Sequence, residues 1–243
     1  MRHKVGSAIS DFSMIGHGDR VIVAISGGKD SIVLIKVLSD LSRAAPVDYE
    51  VIPVHVSTGY ELGFDQIALW IRNQFALEVI RIDSRISEIV GAVSDPQKSP
   101  CALCSRLRRG RLYAYAQEIG ADSIALGHHM DDIIETFLLR CFYTGQIGAM
   151  APSRYSDDGE NRVIRPLAYC TTELVNEYFD HLHIDAVESS CPVRPDGKRE
   201  MIRGYLSRLE EDIPRVRFSI FGALGNIDEK SLCMKEAARA HPH

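Results

Sequence analysis

Six consecutive residues, Ser26-Gly27-Gly28-Lys29-Asp30-Ser31, place two glycines, a cation, a carboxylate and two hydroxyls between a β-branched run (Val21–Ile25) and an amphipathic segment (Ile32–Leu41). Adjacent glycines let the backbone turn tightly and leave no side chain to block a ligand. The amide N–H groups of such a loop and the N-terminus of the following helix face one small volume, whose natural guest is a phosphate chain. The spacing differs from that of the Walker loop, which needs a longer glycine interval before its Lys-Ser/Thr pair. Ser, Gly and Asp are also ordinary turn residues. The strand before the loop and the helix after it therefore carry the argument for a nucleotide site.

A second group of residues points to metal or redox chemistry. Cysteines stand at positions 101, 104, 141, 170, 191 and 233; in a cytosolic chain such spacing speaks for metal or redox use before disulfides. Cys101-Ala-Leu-Cys104 admits a thioredoxin-like couple, half of a zinc site, two ligands of an iron–sulfur cluster, or an inert pair. Zinc wants four ligands, usually two close pairs, and only scattered cysteines remain to complete one. Cys191 is the best third ligand because it sits in a loop beside Pro192. Cys141 is phased onto an apolar helix face, where it is expected as a small buried hydrophobe. Cys170 and Cys233 have no positional argument in their favour. Three cysteines around a four-iron cluster would leave one iron open to a substrate or a hydrosulfide.

The third group is Gly127-His128-His129-Met130-Asp131-Asp132. Neighbouring histidines on a strand point to opposite faces and make a poor bidentate metal site. One is expected to pack against nucleotide or core and the other to face the mouth of the site. Asp131 and Asp132 open a helix, where carboxylates offset the dipole and cap free N–H groups. The alternative is that one of them holds Mg2+ on nucleotide phosphates or works as a general acid or base.

These residues need a frame. Strands are expected at Val21–Ile25, Tyr49–Ser57 (weakened by Pro53), Glu78–Ile82 and Ser123–Leu126, with a short extended piece at Val163–Leu167. Helices are expected over Asp30–Leu41, Phe64–Phe75, Ala102–Ile119 (closed by Gly120), Asp131–Phe142, Thr171–Leu182, Lys198–Glu211 and Arg215–Leu224. Residues 94–100, 144–162 and 189–196 read as loops, and the tail from Asp228 as poorly ordered. Alternation of this kind predicts an α/β fold, an open parallel sheet flanked by helices, with ligands at the carboxyl ends of its strands. Residues 1–187 would form the nucleotide-binding α/β domain, and 188–243 a small helical region with Cys191 and a tail. The glycine loop and the His-His-Met-Asp-Asp segment both fall at strand ends, which argues that they share one site.

Composition bounds the rest. The 243 residues are 45% hydrophobic and 25% charged, ordinary values for a globular protein able to bury a substantial core. No apolar run is long enough to span a bilayer and the N-terminus opens no signal-peptide h-region, so a cytoplasmic protein without membrane partners is the expectation. A net charge of −5 gives no global support for nucleic-acid binding. Distribution matters more: Arg106, Arg108, Arg109 and Arg111 cluster without acidic neighbours, whereas Arg194, Lys198, Arg199, Arg203 and Arg208 are diluted by acids. Such clusters are usually solvated helix faces.

Three strings taken together resemble a known family. They are the Ser26–Ser31 loop, Cys101-Ala-Leu-Cys-Ser-Arg-Leu-Arg-Arg-Gly110 followed by Ala125-Leu-Gly-His-His-Met-Asp-Asp-Ile-Ile-Glu-Thr136, and Arg165-Pro-Leu-Ala-Tyr-Cys170. The chain is similar to the tRNA 2-thiocytidine synthetase branch of the PP-loop sulfurtransferases, over about residues 5–225. That resemblance implies a cytoplasmic homodimer acting on tRNA, with ATP, Mg2+ and a [4Fe–4S] cluster held by Cys101, Cys104 and Cys191. ATP would contact Ser26, Gly27, Gly28, Lys29, Asp30 and Ser31, with its adenine near Val56 and Gly127. Asp132 matches a catalytic acidic position, and Arg108 a cation beside cluster and substrate. The chain also departs from the pattern. One cysteine stands in Ser190-Cys191-Pro-Val where the branch usually has a second Cys-x-x-Cys, the basic N-terminal extension is short, and Met150-Ala-Pro-Ser153 replaces Met-Pro-Pro-Lys.

The implied reaction is attack of a nucleobase carbonyl oxygen, expected to be cytidine C2, on the α-phosphate of MgATP. Pyrophosphate leaves on the glycine loop and Lys29, and sulfur from a cysteine desulfurase or free sulfide then displaces AMP. Two rivals remain. One is a PP-loop amidase, ligase or sulfur-transfer enzyme with another acceptor; the other is a non-catalytic sensor of nucleotide and cluster.

Overall fold

Alternating strands and helices build one six-stranded sheet in the computed structural model, which describes residues 1–93, 100–189, 191 and 197–233. The strands are β1 (Arg20–Ala24), β2 (Glu50–Val56), β3 (Glu61–Leu62), β4 (Ile80–Ile82), β5 (Ser123–Ala125), β6 (Ser153–Tyr155), β7 (Arg162–Ile164) and β8 (Glu188–Ser189). The helices are α1 (Arg2–Asp11), α2 (Lys29–Ala44), α3 (Phe64–Phe75), α4 (Ile86–Val93), α5 (Cys101–Ile119), α6 (Met130–Thr144), α7 (Thr172–Asp180), α8 (Lys198–Asp212) and α9 (Val216–Ala223). The sheet order is β4-β2-β1-β5-β7-β6, parallel except for β6 at one edge; β3 and β8 form a separate antiparallel ribbon. From β1 the chain moves outward to β2 and β4, then crosses back to β5 on the other side. That reversal opens a crevice between β1 and β5 at their carboxyl ends.

Side-chain alternation along the strands divides the core. Val21, Val23 and Ile25 face α1, α2, α3 and α7, while Ile22, Ile52, Val54, Val56 and Ile124 face α4 and α5. Helix α2 is fixed by an almost continuous buried run, Ile32 to Ile35 with Val37 and Leu38, so the loop at its N-terminus stands on an immobile base. A third apolar cluster joins Met130 and Ile134 of α6 to Ile202 and Leu206 of α8. Among the described residues, no helix is long and apolar enough to cross a membrane.

The expected parallel sheet is present, with differences that have physical causes. Pro53 sits within β2 beside Val23 of β1, and β4 begins only opposite Val54; its missing N–H therefore costs no ladder bond on that side. Strand β6 lies inside the 144–162 stretch expected as loop. It has no alternating apolar pattern, and only pairing with β7 defines it. Helices α1 and α4 also lie outside the expected elements. Gly120 does close α5, in the left-handed conformation. Most of the expected loops at 94–100 and 189–196, and residues 234–243 of the expected tail, lie outside the described residues; within 228–233 a short 3-10 turn covers Glu229–Ser231.

Candidate active site

The loop after β1 is held by its own side chains. Ser31 Oγ donates to the Gly28 carbonyl (2.8 Å) and accepts from Ser26 N–H (3.2 Å), while Ser26 Oγ accepts from Gly28 N–H (3.3 Å). Gly27 has φ +89°, and a Cβ there would lie 2.9 Å from the Val187 side chain. Its carbonyl also accepts Val187 N–H (2.9 Å). Both the turn and the close approach therefore require glycine. A Cβ on Gly127 would stand 3.1 Å from the Asp30 backbone, so the exit of β5 crosses the start of α2 in contact with it.

A cleft of about 620 Å3 opens over this crossing. Ser26, Asp30 and Ser31 line one side, with Val56 of β2 and Gly127 at the end of β5; Arg108 of α5 and Asp132 of α6 line it as well. These expected residues share one volume. Lys29 does not face it. Its ammonium lies 5.3 Å from the Phe179 ring centroid and lines a shallower depression with Gln66, Asp180 and Asp185.

The histidines divide as alternation requires. His128 lines the cleft, and burial followed by the charge of Arg165 pushes it down to about 4, so it is neutral at neutral pH. His129 is buried and opens α6; its N–H donates to Asp132 Oδ2 (3.1 Å). The two aspartates have different tasks. Asp131 is a buried strut, accepting from the backbone N–H and hydroxyl of Thr172 (2.7 and 3.0 Å) and from Arg217 Nη1 (2.6 Å). Asp132 caps the helix and also lines the cleft. Burial raises the Asp30 carboxyl above the usual carboxylate range and Asp132 adds to the effect, against His129, Arg203 and Lys29. Two carboxylates facing the same phosphate-sized volume suit a divalent cation or a shared proton.

Cys101 begins α5, Cys104 follows one turn later, and Arg108 one turn beyond that. The β3–β8 ribbon pairs Glu61 with Ser189, two residues before Cys191. Burial pushes the Cys104 thiol up; Arg108 opposes the shift, and Cys191 and Cys101 add to it. Cys191 and Cys101 thus both bear on Cys104 in the first turn of α5, and none of the three is in a disulfide. Among the described residues no group of three or more His, Cys, Asp or Glu is arranged to hold a metal ion, so the thiols are gathered without being closed around a point. As a donor set, three soft thiols outside any disulfide and beside a cation fit a thiolate-bound iron–sulfur cluster and leave zinc one ligand short. Cys170, in contrast, is fully buried, and burial pushes its thiol up to about 11. Cys141 is half-buried, less enclosed than its phasing predicts, because the end of α6 is exposed from Phe142 onward.

Three further cleft residues come from segments far apart in the chain, and of them Arg154 alone lies outside the strings quoted above. Arg165 of the segment after β7 and Arg154 of β6 line the cleft, with Arg109 of α5. The C-terminal basic group is more than a solvated face. Arg203 Nε (2.6 Å) and Arg199 Nη1 (3.2 Å) donate to Glu135, a carboxylate 1% exposed, and dock α8 on α6. The phasing of Glu135 onto the apolar face of α6 was the available signal, since a carboxylate there needs a cationic partner.

A PP-loop domain model matches residues 1–210. The tRNA-cytidine(32) 2-sulfurtransferase of Syntrophotalea carbinolica is 42% identical over 93% of this chain and 88% of its own, and that of Geobacter sulfurreducens is 41% identical over 98% and 94%. The U34-tRNA thiolase NcsA from Methanococcus maripaludis, solved with its [4Fe–4S] cluster, superposes with a TM-score of 0.74 at 21% identity, covering 93% of this chain and 76% of that one; at that identity the likeness shows the shared fold. A loop shaped for phosphates, a cleft at the sheet's reversal point and two full-length relatives above 40% identity agree, and the chain belongs to the PP-loop family, in the branch formed with the tRNA-cytidine(32) 2-sulfurtransferases.

Proposed function

We propose that this protein is an ATP-dependent tRNA sulfurtransferase that replaces the C2 oxygen of a cytidine with sulfur. The observation that carries the reading is the common cleft. Ser26, Asp30 and Ser31 face the same volume as Asp132 and as Arg108, which stands one helical turn from Cys104.

In the first half-reaction the cytidine O2 attacks the α-phosphorus of ATP, a P–O bond forms, and the bond to the β-phosphate breaks. The amides of Ser26–Ser31 hold the departing pyrophosphate. Asp30 and Asp132 are the residues that would hold Mg2+ on the phosphates. Arg108 offsets negative charge on the adenylate, a contribution of about 3–4 kcal/mol for one well-placed donor in other enzymes. In the second half-reaction a sulfur nucleophile adds at C2, the C2–O bond breaks, and AMP leaves with the bonding electrons. Neutral His128, lining the same volume, can donate a hydrogen bond from one ring nitrogen and accept one at the other without adding charge. Cys101, Cys104 and Cys191 would hold a [4Fe–4S] cluster, which when bound supplies a sulfur-accepting iron without a protein ligand at the rim. The sulfur itself comes from free sulfide or a cysteine desulfurase, and the working unit is a homodimer.

The test is anaerobic incubation of the reconstituted protein with ATP, sulfide and bulk tRNA, followed by nucleoside mass spectrometry. 2-Thiocytidine with matching AMP and pyrophosphate is the expected result. A different thiolated base would change the acceptor, and ATP turnover without any thiolated base would sink the reading.

A further inference from the structure

The third string of the sequence, beginning at Arg165, has no task in the reaction above. Arg165 is 7% exposed, and its Nε is buried with no hydrogen-bond partner. Its Nη1 donates to the carbonyl of Ala151, the one side-chain hydrogen bond it makes among the described residues, and none of these supplies it a carboxylate at ion-pair distance. Burial pushes this guanidinium down to about 10; Arg154 and Arg109 push the same way, against Tyr113 and Asp132. All three guanidinium-bearing residues line the cleft, and the charges of Arg154 and Arg109 bear on Arg165. The partner of Arg154 is Asp157, a carboxylate 98% exposed, a surface pairing that holds weakly and that a better anion displaces. Burying an unpaired cation beside two more is costly unless an anion arrives to face them.

We propose that Arg165, Arg109 and Arg154 form a phosphate site for the backbone of the acceptor RNA. The proposal rests on the tRNA-thiolating reading and adds to it a positioning site for the nucleotide that flanks the reacting base. ATP is the other source of phosphate in the cleft, and the sheet argues against it. Arg165 follows β7, which is separated from β1 by β5, a displacement of about 10 Å at ordinary strand spacing. With its triphosphate on the Ser26–Ser31 loop at the end of β1, ATP keeps its charge away from this wall. Three cations there answer a charge that ATP does not bring. The backbone supports the same site, since Arg165 N–H donates to the Pro152 carbonyl (2.8 Å), so the 151–154 segment sets both Arg154 and Arg165. That segment is one of the places where the chain departs from the branch pattern.

The full-length protein and its Arg165→Gln, Arg109→Gln and Arg154→Gln variants are titrated with an unmodified tRNA transcript carrying cytidine at position 32, between 50 and 200 mM salt, and separately with ATP. Each substitution should flatten the slope of log Kd against log salt by about 0.7–0.9, and Arg165→Gln should weaken tRNA binding about tenfold. ATP affinity should stay at the wild-type value. Weakened ATP binding with an unchanged tRNA slope would assign the site to the nucleotide and overturn the proposal. No change in either would make Arg165 an internal strut, also overturning it. If Arg165→Gln fails to fold, the exposed Arg109 and Arg154 decide: two unchanged slopes end the proposal. Nucleoside analysis of the wild type separates the two readings. Thiolated cytidine with unchanged slopes removes the phosphate site alone, whereas flattened slopes without thiolation remove the reaction and keep the site.

Discussion

The loop wall of the cleft and the wall facing it are assembled by opposite means. Ser26–Ser31 is organised mainly by its own side-chain hydrogen bonds, which span no more than five residues, with one distant tie from Val187 N–H, on a helix buried along most of its length. The facing wall gathers Arg108 from α5, Arg154 from β6 and Arg165 from beyond β7, and the cluster site proposed beside it needs Cys191 from beyond the β3–β8 ribbon as well as Cys104 of α5. One wall is held mostly by local contacts; the other exists only once distant segments have met. A phosphate cradle must be rigid before its ligand arrives, whereas a wall that, on the proposed function, receives tRNA and a sulfur donor has to draw chemistry from several elements. The two should therefore fail separately.

The largest effect is expected from Cys191→Ala. Sulfur transfer to tRNA should fall to background by nucleoside mass spectrometry, while ATP affinity, read by fluorescence titration, stays at the wild-type value. A parallel loss of ATP binding would mean that the walls are one unit. Next in size is Arg108→Ala, which should lower turnover about a hundredfold by removing one charge-stabilising donor. The comparison requires that fall to appear in kcat for thiolation, with little movement in the KM for ATP. A change confined to KM would place Arg108 in nucleotide binding instead.

That asymmetry also explains what could be read from the sequence. The strand–loop–helix unit was legible because its causes are contiguous: a β-branched run, two glycines and an amphipathic helix. The Cys-x-x-Cys helix and its Gly120 cap were legible for the same reason. Strand β6, the ribbon and the Glu135 clamp were not, because each depends on a partner far along the chain. The adjacent pair Asp131-Asp132 shows the limit most clearly. Both open a helix and both read as caps or acids, and only the arrival of Thr172 and Arg217 makes the first a strut. Asp131→Ala should therefore cost about 3 kcal/mol of stability, as expected for opening a buried ion pair, with turnover retained below the new midpoint. Asp132→Asn should do the reverse. Urea unfolding alongside thiolation assays checks both, and equal effects from the two substitutions would erase the division.

The smallest effect concerns His128, at the end of β5 between the two walls. Its folded pKa is about 4, against about 6.5 for an unfolded histidine. Between those values the unfolded chain binds a proton that the folded chain refuses, so stability rises with pH across the window. The buried neutral imidazole contributes fully above pH 6.5, and its contribution is lost as pH falls toward 4. From pH 7 to pH 5.5 the loss should be about 1 kcal/mol from this residue. Other groups titrate over the same range, so the informative quantity is the difference between the wild type and His128→Gln in their urea midpoints at the two pH values. The variant should lose less stability on acidification. Equal losses would mean that His128 is protonated without penalty, and that the floor between the walls is wetter and more tolerant of charge than its burial implies.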